Sequence, residues 1–154
     1  MRKVEGEENM ESRTMLLVED NPQDEMLILR ALEQAGLAGR VVVVRDGQAA
    51  LDYIFRQGEF AGLRASSLPT VVVLDINLPR VGGLDVLGQL RANTRTHLLP
   101  VVVLTSSSAE RDRMGGYLHG ANSFVYKSSD PVKFAETVAR MGIYWLEENE
   151  PLTA

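Results

Sequence analysis

Residues 71–83 read VVVLDINLPRVGG: four apolar residues, one carboxylate at Asp75, and a loop that contains Pro79 and ends on two glycines. The apolar residues follow one another without alternating with polar ones. Such a run, bounded by polar and turn residues, is typical of a strand buried on both faces of a parallel sheet that helices cover. The segment therefore predicts a layered α/β domain with Asp75 at the carboxyl end of an inner strand.

Four further apolar runs have the same character, at 15–18, 41–44, 101–104 and 124–126. The segments between and after the runs carry helical periodicity with start and stop signals, at 20–36, 46–57, 83–92, 107–120 and 130–147. Five strand–helix units with right-handed crossovers predict an α/β fold with one five-stranded parallel sheet and helices on both faces. The flavodoxin-like strand order 2-1-3-4-5 is the leading candidate.

Length and composition indicate one globular domain. The chain has 154 residues, of which 45% are hydrophobic and 24% charged, and it contains no cysteine. We predict a flexible tail at 1–12, a domain at 13–147 and a second tail at 148–154. The start of the chain has no apolar leader and the chain no long apolar span, so we expect a cytoplasmic protein without a membrane segment. A net charge of −5 argues against nucleic-acid binding.

Polar residues follow four of the predicted strands. Glu19 and Asp20 come after the first run, Asp75 after the third, Thr105 after the fourth and Lys127 after the fifth. Ligands of open α/β sheets bind outside the carboxyl ends of the strands. Three carboxylates there repel one another unless a cation lies among them, and oxygen ligands suit Mg²⁺. A lysine and a hydroxyl add partners for phosphoryl oxygens, which makes the central Asp75 the predicted nucleophile of an acyl phosphate.

These motifs resemble the receiver domains of response regulators, the CheY-like family. The resemblance covers about 13–146 and rests on Glu19-Asp20, on the Asp75-x-x-x-Pro79-x-x-x-Gly83 turn, on Thr105 and on Lys127. It implies that a histidine kinase phosphorylates Asp75. It also implies that Glu19 and Asp20 help hold Mg²⁺ together with the backbone carbonyl of Asn77.

The same resemblance implies roles for three residues further along the chain. Thr105 binds the phosphoryl group, Lys127 pairs with it, and Phe124 is the aromatic switch that moves as Thr105 shifts. The sequence departs from the family at Ser128, where relatives usually have a proline after a cis peptide bond. A cis bond before a residue other than proline costs about 2.5–4 kcal/mol, which favours a trans bond and a differently shaped loop after Lys127.

A narrower resemblance concerns the small response regulators that work with bacterial and cyanobacterial phytochromes. It rests on the long loop at 58–68 and on the stretches 104–107, 117–124 and 142–146. It implies a light-sensing phytochrome as the kinase and a homodimer formed through the C-terminal half. The apolar cluster around Trp145 fits either the core of the last helix or such a dimer contact.

Other interpretations remain open. Taken singly, Asp20 and Thr105 could cap helices and Lys127 could be a surface lysine. A receiver that no longer accepts phosphate and serves as a dimerisation or docking module is one rival. A haloacid-dehalogenase-type phosphohydrolase is another, but it needs a second aspartate where Asn77 stands. We therefore expect a phosphoacceptor signalling protein that catalyses only its own phosphorylation and dephosphorylation. The short stretch after Leu146 suggests output through protein contact or onward phosphotransfer.

Overall fold

A single parallel sheet forms the centre of the molecule. The structure, a computed structural model, describes residues 12–63, 68–106, 115, 117 and 119–152. Its strands are β1 (Met15–Val18), β2 (Val41–Val44), β3 (Val71–Asp75), β4 (Val101–Thr105) and β5 (Ser123–Tyr126). All neighbours pair in parallel in the order β2-β1-β3-β4-β5, which confirms the predicted topology.

Four α-helices are defined by their described residues: α1 (Pro22–Gln34), α2 (Gly47–Phe55), α3 (Gly83–Ala92) and the C-terminal helix (Pro131–Ile143), which continues into a π-helical turn (Tyr144–Glu148). A short 3-10 helix (Gly58–Phe60) follows α2. Polar side chains set three of their starts. Asn21, Asp46 and Asp130 accept hydrogen bonds from backbone N–H groups of the first turns, which have no partner within the helix. Of the predicted helix at 107–120, residues 107–114, 116 and 118 lie outside the described residues.

The strands send alternate side chains to two cores. Leu17, Val73 and Leu104 face a core shared with α1 and the C-terminal helix. Leu16, Val72 and Leu74 face the other core, beneath α2 and α3. Helices on both faces are therefore confirmed. Full burial of one such aliphatic side chain stabilises the fold by about 1.5–3 kcal/mol, so these two layers hold the sheet between its helices.

The prediction that every run is buried on both faces is wrong for the two outer strands. β1, β3 and β4 are buried throughout, whereas Val41, Val42 and Val43 of β2 are half-buried and Tyr126 of β5 is 52% exposed. The reason is position, because an edge strand has a neighbouring strand on one side only. The valine-rich composition of β2 did not distinguish an edge strand from an inner one.

Two glycines allow the loop after β3 to pack closely against its surroundings. A side chain at Gly47 would collide with the backbone carbonyl of Val81, and one at Gly83 with the backbone of Asp75 and Ile76. Arg80, in the same loop, has a left-handed backbone with φ 68° and pairs with Asp46 at 3.3 Å. The loop that carries Asn77 is thus held between α2 and the end of β3.

No helix among the described residues is both long and apolar enough to cross a membrane.

Candidate functional site

The residues predicted to form the site meet at the carboxyl edge of the sheet. Glu19 follows β1, Asp75 and Thr105 are the last residues of β3 and β4, and Lys127 follows β5. Backbone bonds join these strand ends, because Ile76 N–H donates to Leu104 O at 3.2 Å and Lys127 N–H donates to Thr105 O at 2.7 Å. Parallel pairing therefore brings together residues that lie far apart in the sequence.

Three carboxylates form a compact cluster. One oxygen each from Glu19, Asp20 and Asp75 lies within 4.8 Å of the other two. Glu19 and Asp75 are buried and Asp20 is exposed, so the cluster opens to solvent on one side. Hard divalent cations prefer carboxylate oxygens, and Mg²⁺ binds them at about 2.0–2.1 Å while keeping several waters. The donor set and its open side fit such an ion.

Backbone N–H groups orient two of these carboxylates. Asn21 N–H donates to Glu19 Oε1 at 3.2 Å, and Asn77 N–H donates to Asp75 Oδ1 at 3.0 Å. Each carboxylate therefore has one oxygen fixed by the loop that follows it. The second oxygens, Glu19 Oε2 and Asp75 Oδ2, face the same partner, the ammonium of Lys127.

Lys127 makes three ion pairs. Its Nζ lies 2.8 Å from Glu19 Oε2, 3.0 Å from Asp24 Oδ2 and 3.1 Å from Asp75 Oδ2, and its side chain is 9% exposed. No cis peptide bond occurs among the described residues, so the bond between Lys127 and Ser128 is trans. The ammonium reaches Asp75 with this trans bond in place.

Burial and charge change the proton affinities of the buried pair. Burial raises the pKa of Glu19 to about 7; the hydrogen bond from Lys127 opposes this shift, and the charge of Asp75 adds to it. For Lys127, burial alone lowers the pKa, but the hydrogen bond to Glu19 and the charges of Asp75 and Glu19 outweigh it and raise the pKa above its ordinary value. Lys127 therefore stays charged, and burial makes the Glu19 carboxylate easier to protonate than an exposed one.

The remaining predicted residues take different positions. Thr105 is 1% exposed at the end of β4, and the backbone of Asn77 is joined to Asp75, while its side chain is exposed. Phe124 lies half-buried in β5, with its ring centre 6.0 Å from that of Tyr117. Thr105 and Asn77 thus border the cluster, whereas Phe124 sits within β5, two residues before the exposed Tyr126.

Sequence reasoning missed Asp24. An acidic residue in the first turn of a helix is ordinarily explained by the helix dipole, and Asp24 has that position in α1. In the structure its carboxylate binds Lys127 at 3.0 Å. A signal was present, because α1 begins at Pro22, directly after the acidic pair that follows β1, and its first turn must therefore lie over the same edge.

The fold and this edge define a class of protein: a parallel 2-1-3-4-5 sheet whose carboxyl ends combine clustered carboxylates with a lysine is the arrangement of a receiver domain. The family profile described as "Response regulator receiver domain" matches residues 15–139. The chain belongs to this family, whose members are signalling proteins rather than conventional enzymes.

Individual relatives extend the comparison. The chain is 43% identical to the probable methanogenesis regulatory protein FilR2 of Methanothrix harundinacea, over 88% of this chain and 84% of that protein. It is 32% identical to response regulator Rcp1 of Synechocystis sp., over 92% of this chain and 95% of that protein. Both proteins are matched over most of their length.

Three solved structures are similar as well. The phosphorylated cyanobacterial phytochrome response regulator RcpA has a TM-score of 0.83 at 33% identity, covering 92% of this chain and 99% of that one. The Mn²⁺-bound form of Rcp1 has a TM-score of 0.83 at 31% identity, with the same coverage. The bacteriophytochrome response regulator RtBRR has a TM-score of 0.73 at 44% identity, covering 91% and 84%. The chain is therefore a response regulator similar to those associated with phytochromes.

Proposed function

We propose that the protein is a single-domain response regulator that accepts a phosphoryl group from a histidine kinase onto Asp75 and signals through protein contact. The observation that carries this proposal is the 3.1 Å contact between Lys127 Nζ and Asp75 Oδ2 inside a cluster of carboxylates. In this proposal residues 13–147 form the receiver, 1–12 and 148–154 are tails, and the protein acts in the cytoplasm.

The chemistry follows from the charges at the edge. A carboxylate oxygen of Asp75 attacks the phosphorus of a phosphohistidine, the N–P bond breaks, and the imidazole keeps its electron pair. Lys127 and the hydroxyl of Thr105 offset the charge on the transferred oxygens. Glu19, Asp20, Asp75 and the backbone carbonyl of Asn77 would hold Mg²⁺, which supplies further positive charge to the phosphoryl group when bound. Catalysis is then positioning and charge neutralisation.

The output depends on how the phosphoryl group changes the neighbouring surface. Thr105 lies at the end of β4, and Phe124 pairs with the middle of that strand. We propose that Thr105 moves toward the phosphoryl group and that the ring of Phe124 follows it inward, which alters the exposed surface around Tyr126. A local charge change would thereby reach a binding partner.

The kinase we propose is a phytochrome. Support comes from the similar structures of RcpA and RtBRR, which are both named as phytochrome response regulators. The relative FilR2 favours a second candidate, a histidine kinase that controls methanogenesis, because FilR2 is named for the regulation of methanogenesis. Phosphotransfer from a purified phytochrome histidine kinase tests the choice. Rapid labelling of Asp75 supports the phytochrome, and labelling by acetyl phosphate alone favours a kinase of another class.

We also propose a homodimer through the C-terminal half. Exposed apolar side chains occur there at Tyr126 (52%), Val132 (66%) and Tyr144 (50%). Trp145 is half-buried, and its ring centre lies 5.1 Å from that of Tyr144 in an edge-to-face arrangement. The apolar cluster around Trp145 therefore contributes both to the core and to the surface. Light scattering should give twice the chain mass, and Tyr144→Glu should shift it toward a monomer. A monomeric wild type would contradict the dimer.

Intact-protein mass after incubation with acetyl phosphate tests the central proposal. Wild type should gain one phosphoryl group in the presence of Mg²⁺ and none in EDTA. Asp75→Asn should gain none, while Asp85→Asn, at an exposed position of α3, should behave as wild type. Absence of any addition to wild type would favour the docking module. Sustained release of phosphate from organic phosphate esters would favour the phosphohydrolase instead.

A further inference from the structure

A closed ring of hydrogen bonds joins Lys127 to the segment between β1 and α1. Asn21 N–H donates to Glu19 Oε1 at 3.2 Å, and Asn21 Oδ1 accepts from Asp24 N–H at 3.1 Å. Lys127 Nζ closes the ring by donating to Asp24 Oδ2 at 3.0 Å and to Glu19 Oε2 at 2.8 Å. The cap of α1 and the ammonium are therefore parts of one arrangement.

The ammonium has three hydrogens and three carboxylate partners. Two partners, Glu19 and Asp24, belong to this one segment, and the third is Asp75. Two bonds to this one segment hold Nζ, and the third hydrogen is directed at Asp75. Asp24 lies outside the cluster formed by Glu19, Asp20 and Asp75, so a cation there would not use it.

We propose that Asp24 is a positioning residue that anchors Lys127 for phosphoryl transfer, an inference that rests on the proposed function of Asp75. When the phosphoryl group is attached to Asp75, the third hydrogen of the ammonium passes from the carboxylate to a phosphoryl oxygen. The bonds to Glu19 and Asp24 are kept. Lys127 therefore acts without reorganising, which is the condition under which a charged group contributes most to catalysis.

A purely electrostatic role for Asp24 predicts the opposite effect. The carboxylate of Asp24 lies 3.0 Å from the ammonium and adds negative charge near a site that receives an anion. If only charge mattered, removing it would speed phosphorylation, and Ala and Asn would be equivalent. If anchoring matters, Ala slows the reaction, and Asn, which keeps an oxygen acceptor of the same shape, preserves most of the rate.

The experiment compares Asp24→Ala, Asp24→Asn and the exposed control Asp85→Ala, using acetyl phosphate at saturating Mg²⁺. We expect Ala to lower the labelling rate about tenfold, because small misplacements of catalytic groups cost this much or more. Asn should stay within about threefold of wild type, since its amide oxygen still accepts the bond. Mg²⁺ affinity should change by less than about twofold in both variants, since Asp24 is not among the clustered ligands. An Ala variant that labels as fast as wild type, or faster, would overturn the proposal.

The ¹⁵N-edited NMR signal of the Lys127 ammonium gives a second measurement that needs no phosphorylation. Anchored by its bonds, the ammonium should exchange slowly with water in wild type and in Asp24→Asn, and rapidly in Asp24→Ala. An unchanged signal in Asp24→Ala would also overturn the anchor. If wild type itself takes up no phosphoryl group, the proposed function fails, and the ammonium signal still decides the role of Asp24.

Discussion

The two edges of the sheet handle charge in contrasting ways. At the carboxyl edge, the single ammonium of Lys127 serves three carboxylates. At the opposite edge, two guanidinium groups bind mainly neutral backbone oxygens. Arg13 donates to Asn149 O at 3.3 Å, and Arg40 donates to Leu146 O at 3.3 Å and to Arg13 O at 3.0 Å. The first edge carries excess negative charge, and the second ties the chain end to the sheet.

This difference separates a site built for chemistry from one built for stability. The carbonyl oxygens that Arg13 and Arg40 bind introduce no charge that must itself be balanced, and Arg40 also forms an ion pair with Glu147 at 3.3 Å, in which the two charges offset each other. The clustered carboxylates repel one another, and either a proton or a further cation relieves that repulsion. Violations of local balance of this kind are expected at functional sites and are offset elsewhere in the fold.

The largest test removes the ammonium that Glu19, Asp24 and Asp75 share. Lys127→Ala leaves buried carboxylates without their partner, so we expect the metal-free protein to lose about 3–5 kcal/mol of unfolding free energy, with part recovered in Mg²⁺. Urea unfolding with EDTA or Mg²⁺ measures this, with exposed Lys133→Ala as the control. The variant should also uncouple phosphorylation from any change in association. Equal stability of the Lys127 and Lys133 variants would contradict the claim that Lys127 offsets repulsion among the carboxylates of this edge.

Changing pH probes the same edge more gently. The pKa of Glu19 is raised to about 7 in the folded protein, so the folded state binds a proton on Glu19 more tightly than the unfolded state does. The stabilisation from this proton is complete below about pH 4.5, the ordinary pKa of the group, and is lost as the pH rises through 7. Metal-free wild type should therefore lose up to about 3 kcal/mol of unfolding free energy between pH 4.5 and 8. Lys127 adds no slope there, because its raised pKa lies far above this range.

Urea unfolding in EDTA at several pH values measures the slope. Glu19→Gln should flatten it, because the amide does not titrate, and Mg²⁺ should restore wild-type stability most at high pH. A wild type that parallels Glu19→Gln throughout would show that Glu19 carries no such strain.

The smallest expected effect is at the opposite edge. Arg13→Ala removes bonds to Leu146 O and Asn149 O, which should cost about 1–2 kcal/mol of unfolding free energy regardless of Mg²⁺. The labelling rate of Asp75 should not change. Exposed Arg30→Ala is the matched control, with no expected loss. If Arg13→Ala is folded but Asp75 is labelled more slowly than in wild type, the contacts of Arg13 at one edge affect the chemistry at the other.

Most of the fold could be predicted because the apolar runs mark its strands directly. The three inner strands are continuous apolar runs, as expected for strands buried on both faces, and parallel topology then sends Glu19, Asp75, Thr105 and Lys127 to one edge. Sequence could not separate edge strand β2 from inner strands, since four valines fit either position.

Side-chain reach was the other limit. Asp24 contacts a lysine 103 positions away, and Arg13, at the expected boundary of the tail, is 6% exposed because it binds carbonyls more than 130 positions away. The start of α1 indicates that Asp24 lies over the carboxyl edge, but no local pattern identifies the distant partner of either side chain. The position of the Lys127 ammonium could likewise not be predicted from Ser128, the next residue, because its hydrogen bonds go to Glu19, Asp24 and Asp75.

The close approach of Gly47 to Val81 has a consequence for how this chain can be varied. No methyl group fits between the start of α2 and the loop after β3, because the backbones of the two segments are in direct contact there. A graft that lengthens or replaces the loop at 76–82 must redesign the turn before α2 with it. The two stretches, far apart in sequence, form one exchangeable unit.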